Sequence, residues 1–175
     1  TVLWSRIGWS YEAGQLQKAV EMDRLLFEFD GAFRLTSLLP LMLPGMRRWP
    51  QRERSRQWLD ANARFRADVL ARLRAEGPLL ASDIPDTAQL ERAPDGWSGS
   101  NQVPIMLDFL SRQGEVAIAG RSGRSRRWDL AERVYPRELP EYDDAEAQRL
   151  LEERRLQSAG LVKQRSPYTR VGDAG

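Results

Sequence analysis

Between residues 11 and 22 the apolar residues Leu16, Ala19 and Val20 fall three to four apart, the spacing of one helical face, and the pattern changes at Asp23. From Arg24 to Phe29 the apolar residues run together as in a strand, Asp30-Gly31 is a hairpin-turn pair, and Ala32 to Leu38 reads as the returning strand. This stretch therefore predicts a helix followed by a two-stranded hairpin. Pro40, Pro44 and Pro50 interrupt what would otherwise be helical, which predicts one or two short turns over Leu41 to Trp49, acting as a connector.

Neither Pro nor Gly occurs from Arg52 to Glu76, and Trp58, Phe65, Val69 and Leu73 recur at helical spacing among many arginines. One long helix is expected there, stopped by Gly77-Pro78. Ala81 to Ile84 predicts the start of a short second helix, and Thr87 to Ser98 a loop. Ser100 or Asn101 suits the cap of a third helix that tolerates Pro104 in its first turn and carries Val103, Met106, Leu107 and Leu110 as an apolar stripe to Gly114. Glu115 to Ala119 alternates as a strand, Gly120 to Arg124 is a turn, and Ser125 to Leu130 returns. Residues 136–145 form a Pro-rich acidic linker, and Glu146 to Ser158 is a further amphipathic helix.

Helix, short helix, helix and hairpin in that order describe a winged helix, a variant of the helix-turn-helix plan. The expected fold is mainly α with small β-hairpins, built from tandem winged-helix modules. Residues 1–50 are expected to be the C-terminal part of one module with its connector, 51–136 a complete module, and 137–175 the acidic linker, a helix and the start of a further module.

Composition narrows the chemistry. An apolar fraction of 41% with six Trp and five Phe is ample for a packed core. With 30% charged residues, no run approaches the length of a membrane span, so no membrane partner is expected. The absence of Cys and His removes disulfides, thiolate catalysis, zinc fingers, Ser-His-Asp triads and His-based metal sites. No metal and no cofactor is expected, and chemistry must rest on carboxylates, amides or hydroxyls. The first residues lack the order of a secretory signal and read like the inside of a domain, so a piece of a longer, cytoplasmic polypeptide is expected. Paired acids such as Asp83 and Asp86 near a helix start read as caps, not as catalytic groups.

The 27 basic and 25 acidic residues nearly cancel, so placement decides what the charge can do. Gly120 to Arg127 puts Arg121, Arg124, Arg126 and Arg127 on one tight hairpin without an acid, where they can meet adjacent phosphates of a duplex. The competing account is a solvated turn whose arginines pair with Glu115, Asp129 and Glu132. DNA contact is the preferred account, because such hairpins lie beside the groove when the preceding helix docks. On that helix Gln102 suits adenine and Arg112 a phosphate, although a purely structural helix fits these residues equally well. Trp58, Phe65 and Trp128 are expected in the core, and so is Trp97 beneath its loop.

Four stretches, TVLWSRIG at 1–8, DRLLFEF at 23–29, GPLLASDI at 77–84 and GEVAIAGRSGRSRRWDLAERVYP at 114–136, together resemble the YcaQ/AlkZ family of winged-helix DNA glycosylases that repair DNA crosslinks. The last is the most specific, and the resemblance runs to about residue 136. It implies a monofunctional enzyme that unhooks or excises alkylated bases by hydrolysing the N-glycosidic bond, on double-stranded DNA that is alkylated or crosslinked, in the cytoplasm at the nucleoid. The family's catalytic Gln-x-Gln or Gln-x-Asp motif would lie upstream of Thr1. Gln15-Leu16-Gln17 stands after the WSRIG match, on a helix where a solvated face accounts for both glutamines, and no catalytic residue is assigned. After Phe29 the family often shows a His-containing segment where this chain has Asp30-Gly31-Ala32-Phe33-Arg34. The alternatives are a non-enzymatic winged-helix DNA-binding or regulatory protein, and a protein-interaction scaffold with neutralised arginines.

Overall fold

The computed structural model describes Gly8 and residues 12–90 and 101–159; the rest of TVLWSRIG, Trp97, Ser100 and the tail from Gly160 lie outside the described residues. The chain is mainly α, with one two-stranded and one three-stranded antiparallel sheet among these residues. Helix α1 (Ala13–Gln17) runs into a π-helical turn (Lys18–Met22), followed by strands β1 (Leu26–Phe29) and β2 (Ala32–Leu35). Asp30 and Gly31 join the two strands at φ values of 50° and 72°, the double positive φ that a two-residue type I′ turn demands. Gln15 and Gln17 are exposed on α1, as a solvated face requires.

Two expectations fail in the next forty residues. In place of a connector of short turns, Leu39–Arg47 is a nine-residue helix, α2, with Pro44 inside it. Pro40 falls in the first turn, where its missing N–H would be unpaired anyway. Pro44 costs about 3 kcal/mol in a helix interior, and burial of Leu39, Leu41, Met42 and Met46 at 3% exposure or less offsets it. In place of one helix over 52–76 there are two, α3 (Glu53–Ala61) and α4 (Ala63–Glu76), broken at Asn62. Asn62 is fully buried; its amide donates to the carbonyls of Trp58 and Leu90, both at 3.0 Å, and its Oδ1 accepts from the N–H of Gln89 at 2.8 Å and of Leu90 at 3.2 Å. An Asn side chain that bonds to backbone offers the chain an alternative to helix, and here it fastens a loop 27 residues away in sequence.

After α4 come β3 (Leu79–Leu80), which periodicity did not reveal, and a single 3-10 turn (Ala81–Asp83) where the start of a second helix was expected. Asp83 and Asp86 accept backbone N–H groups, the latter that of Gln102 at 2.7 Å, so both serve as caps. Helix α5 (Val103–Arg112) follows, with Asn101 Oδ1 accepting the Val103 N–H at 2.9 Å. Strands β4 (Val116–Ser122) and β5 (Ser125–Leu130), the short helix α6 (Ala131–Val134) and helix α7 (Asp144–Ala159) complete the order. The three-stranded sheet runs β3-β5-β4, with the first strand on the edge beside the last.

Two cores form. The larger joins α3, α4 and α5 to the inner face of the β3-β5-β4 sheet, through Trp58, Phe65, Val69, Leu73, Met106, Leu110, Ile118 and Trp128. The smaller gathers Phe27 and Phe29 with Leu39, Met42 and Met46, and takes Tyr135, Leu139 and Leu151 from the C-terminal segment. Helix α7 thus packs back on α2, where Arg48 pairs with Asp144 at 3.2 Å.

Asn62→Ala removes the bonds that hold residues 89 and 90 and leaves buried amides unpaired, so a loss of about 2–4 kcal/mol is expected. Urea unfolding measures it, and a shift under about 0.5 kcal/mol would show that the loop is held by other contacts. Tyr135 gives a second test. Its hydroxyl is buried without a hydrogen-bond partner among the described residues, and burial pushes its ionisation well above the ordinary 10.0. Tyr135→Phe should leave stability unchanged or raise it by about 1 kcal/mol at neutral pH. Because the phenol stays neutral when folded and ionises when unfolded, its contribution is complete below about pH 10 and is lost as pH rises further. Denaturation at neutral pH and above pH 10 should find the Phe variant less alkali-sensitive; equal sensitivity would refute the assignment.

Candidate nucleic-acid interface

The β4-β5 hairpin extends further than the sequence pattern suggests. Paired residues run from Val116↔Leu130 through Arg121↔Arg126 to Ser122↔Ser125, with a bulge between Ile118 and Gly120. Two residues, Gly123 and Arg124, make the turn, with Gly123 at φ +59°, the first-position geometry for which a type II′ turn selects glycine. Alternation then sorts the base of the hairpin, since Ile118 and Trp128 face the large core.

The four arginines of this hairpin divide into two pairs. Arg121 and Arg126 are cross-strand partners, and both reach a carboxylate from the other hairpin, Glu28 on β1. Arg121 donates Nε and Nη2 to the two oxygens of Glu28 at 3.0 and 2.6 Å, and Arg126 Nε donates to Oε1 at 2.9 Å. Glu28 is only 4% exposed, whereas the two arginine side chains are 40% and 37% exposed. A buried carboxylate loses several kcal/mol of solvation, and this forked, charge-assisted pairing returns much of it. Glu21 adds a contact from the π-helical turn, accepting the Arg121 backbone N–H at 3.0 Å. Two of the acids that the competing account pairs with these arginines are held elsewhere, Glu115 by Arg66 at 2.5 Å and Asp129 by Arg133 at 3.3 Å.

Arg124 and Arg127 are the second pair. Both are exposed, and neither side chain has an ion-pair partner among the described residues. Arg124 sits at the tip, its carbonyl accepting from Arg121 Nη1 at 3.2 Å, so the anchored arginine also fixes the turn.

The other two sequence-nominated residues are engaged in the fold. Gln102 is 1% exposed at the start of α5. Arg112 is gripped between Asp108 at 2.8 Å and Asp30 at 2.6 Å. Its guanidinium titrates above its ordinary range: burial lowers it, and the two carboxylates outweigh that effect. Of all α5 residues only Pro104 is exposed, because the large core, the cap and the Asp30 contact use the remaining faces.

Comparison with known proteins joins this geometry to a family. A family profile described as DNA glycosylase AlkZ-like matches residues 1–167. The chain belongs to the AlkZ-like family of DNA glycosylases. Its class is thereby DNA repair, its partner DNA, and the resemblance that the sequence carried to about residue 136 extends across nearly the whole chain. No curated protein and no solved structure matches it. In this AlkZ-like chain no group of His, Cys, Asp or Glu among the described residues could hold a metal ion, and no helix among them is long and apolar enough to cross a membrane.

Sequence reasoning passed over Glu28. It stands inside the DRLLFEF run, a lone acid in an apolar strand, and that was the available signal: a charge in a buried strand needs a partner. Glu28→Gln should cost roughly 1–3 kcal/mol, below the 3–5 of a fully buried broken pair because the arginines keep solvent. A double-mutant cycle with Arg126→Ala should give a coupling of about 1 kcal/mol or more. Additive effects would mean that Glu28 does not hold the β4-β5 hairpin.

Proposed function

We propose that this chain is the DNA-holding part of a glycosylase that excises or unhooks alkylated bases by hydrolysing the N-glycosidic bond, with the β4-β5 hairpin gripping the phosphate backbone. The observation that carries the grip is the pairing pattern: Arg121 and Arg126 are committed to Glu28, while Arg124 and Arg127 stand exposed without ion-pair partners among the described residues. Two guanidiniums on a hairpin whose base is fixed are pre-placed for neighbouring phosphates, and each contact releases condensed counterions. Family membership supports the excision chemistry.

The same reading treats residues 51–136 as a winged helix. Helix, edge strand, short turn, helix and hairpin, with sheet order β3-β5-β4, support it. Residues 1–50 form the closing part of a preceding module, and 137–175 lead toward a further one. With α5 so covered, the wing and not the helix carries the DNA contact, which suits recognition of damage over recognition of sequence. A cytoplasmic protein working at the nucleoid follows from this role.

Arg124→Ala with Arg127→Ala should weaken binding to any duplex by a similar factor, and the slope of log affinity against log salt should flatten by roughly 0.9 for each phosphate that the variant no longer neutralises. An unchanged slope in the folded double variant would rule out the wing as the contact. Excision is tested with the full-length protein on alkylated and crosslinked duplexes, scored by abasic-site formation. Binding without excision on every lesion would favour the regulatory alternative.

A further inference from the structure

Apolar exposure is concentrated beside the wing. Six large hydrophobic side chains are exposed among the described residues, and four of them, Met22, Leu25, Phe33 and Leu35, lie within the short stretch that enters and forms the first hairpin. Scattered exposed hydrophobics are ordinary, whereas a group on one element asks for a partner. Phe33 is 42% and Leu35 57% exposed. The β1-β2 register sets Phe33 opposite Glu28 and Leu35 opposite Leu26, so all four residues share one face of the ribbon. That face is where Glu28 receives Arg121 and Arg126. Phe33 therefore lies beside the carboxylate that the arginine hairpin holds, and Leu35 one cross-strand pair further along the same face.

We propose that Phe33 and Leu35 form a base-contacting face, packing against a nucleobase displaced from its stack in the duplex that the wing holds. The inference rests on the proposed grip by Arg124 and Arg127. An aromatic ring and a leucine flanked by guanidiniums match a nucleotide, which has an apolar face beside a negative phosphate; apolar side chains of this kind unstack base steps in other DNA complexes. Three of the nearby acids are paired, Glu28 with two arginines, Asp30 with Arg112 and Asp23 with Lys18, while Glu21 accepts only from the Arg121 backbone N–H and the Gln17 amide. A second copy of the chain is a poorer occupant, since a two-fold contact centred on this face would bring the arginine hairpins of both copies together.

The test uses a duplex with a single 2-aminopurine, whose fluorescence rises when it leaves the stack. The chain as it stands should bind and brighten the probe several-fold. Phe33→Ala with Leu35→Ala should bind with the same salt slope, because the charges are unchanged, and should forfeit more than half of the brightening. Phe33→Leu should keep most of it. Both positions are exposed, so the variants should fold, and circular dichroism with urea unfolding checks that. Brightening retained by the folded double variant would overturn the proposal, as would a dimer of the parent chain on gel filtration that the double variant abolishes. Wing-dependent binding with no brightening by the parent chain overturns this inference alone. A salt slope insensitive to Arg124 and Arg127 overturns the grip, and this inference with it.

Discussion

A carboxylate inside the protein must be met by charge, and Glu28 is met from another part of the chain. Its two partners stand 93 and 98 residues further on, facing each other across the second hairpin. The pairing orients both hairpins at once, because the fork of Arg121 tolerates little rotation against a carboxylate. Around it lie contacts of the same kind: Arg24 donates to the Ala119 carbonyl at 3.2 Å, Arg112 bridges to Asp30, and Phe27 meets Tyr135 edge-on with centroids 5.7 Å apart. Together they fasten the first hairpin to the second and to the helix and segment on either side of it.

This arrangement changes what an Arg-rich hairpin means. In the sequence the four arginines are equivalent; in the fold two are structural and two stand outward. In the proposed grip the anchored arginines give the exposed ones a fixed base, which leaves less ordering for the moment of binding. The acid that holds the wing also removes cationic charge from the surface, a cost that specific positioning of the remaining pair offsets. The same division assigns Arg112 to the fold, where Asp108 and Asp30 hold it between them.

Burial of α5 follows from the same division of faces. Its apolar stripe enters the large core, Phe109 packs edge-on against Trp49 and Trp58 at 4.7 and 5.2 Å, and Ser111 is buried as well. A helix used on so many sides has little left to offer a groove. The neighbouring hairpins differ in this respect, with Arg124, Phe33 and Leu35 exposed on them.

Local chemistry was legible wherever a short stretch decides its own shape. The turn at Asp30-Gly31, the apolar stripe of α5, the Asn101 cap, the Asp83 and Asp86 caps, the core positions of Trp58, Phe65 and Trp128 and the family's strand-turn-strand signature could all be read from the chain. Where tertiary contacts outweigh local preference, the reading failed. Burial of Leu39, Met42 and Met46 carries a helix through Pro44, and the four bonds of Asn62 break a run that has every local reason to continue. Edge strand β3 is two residues long and exists because β5 is there to pair with it. Which arginines of the second hairpin are left without an ion-pair partner among the described residues was decided by Glu28, far away in sequence. Periodicity reports which faces a segment hides; it does not report which distant charge will come to lie against a given side chain, because that is fixed only when the elements pack.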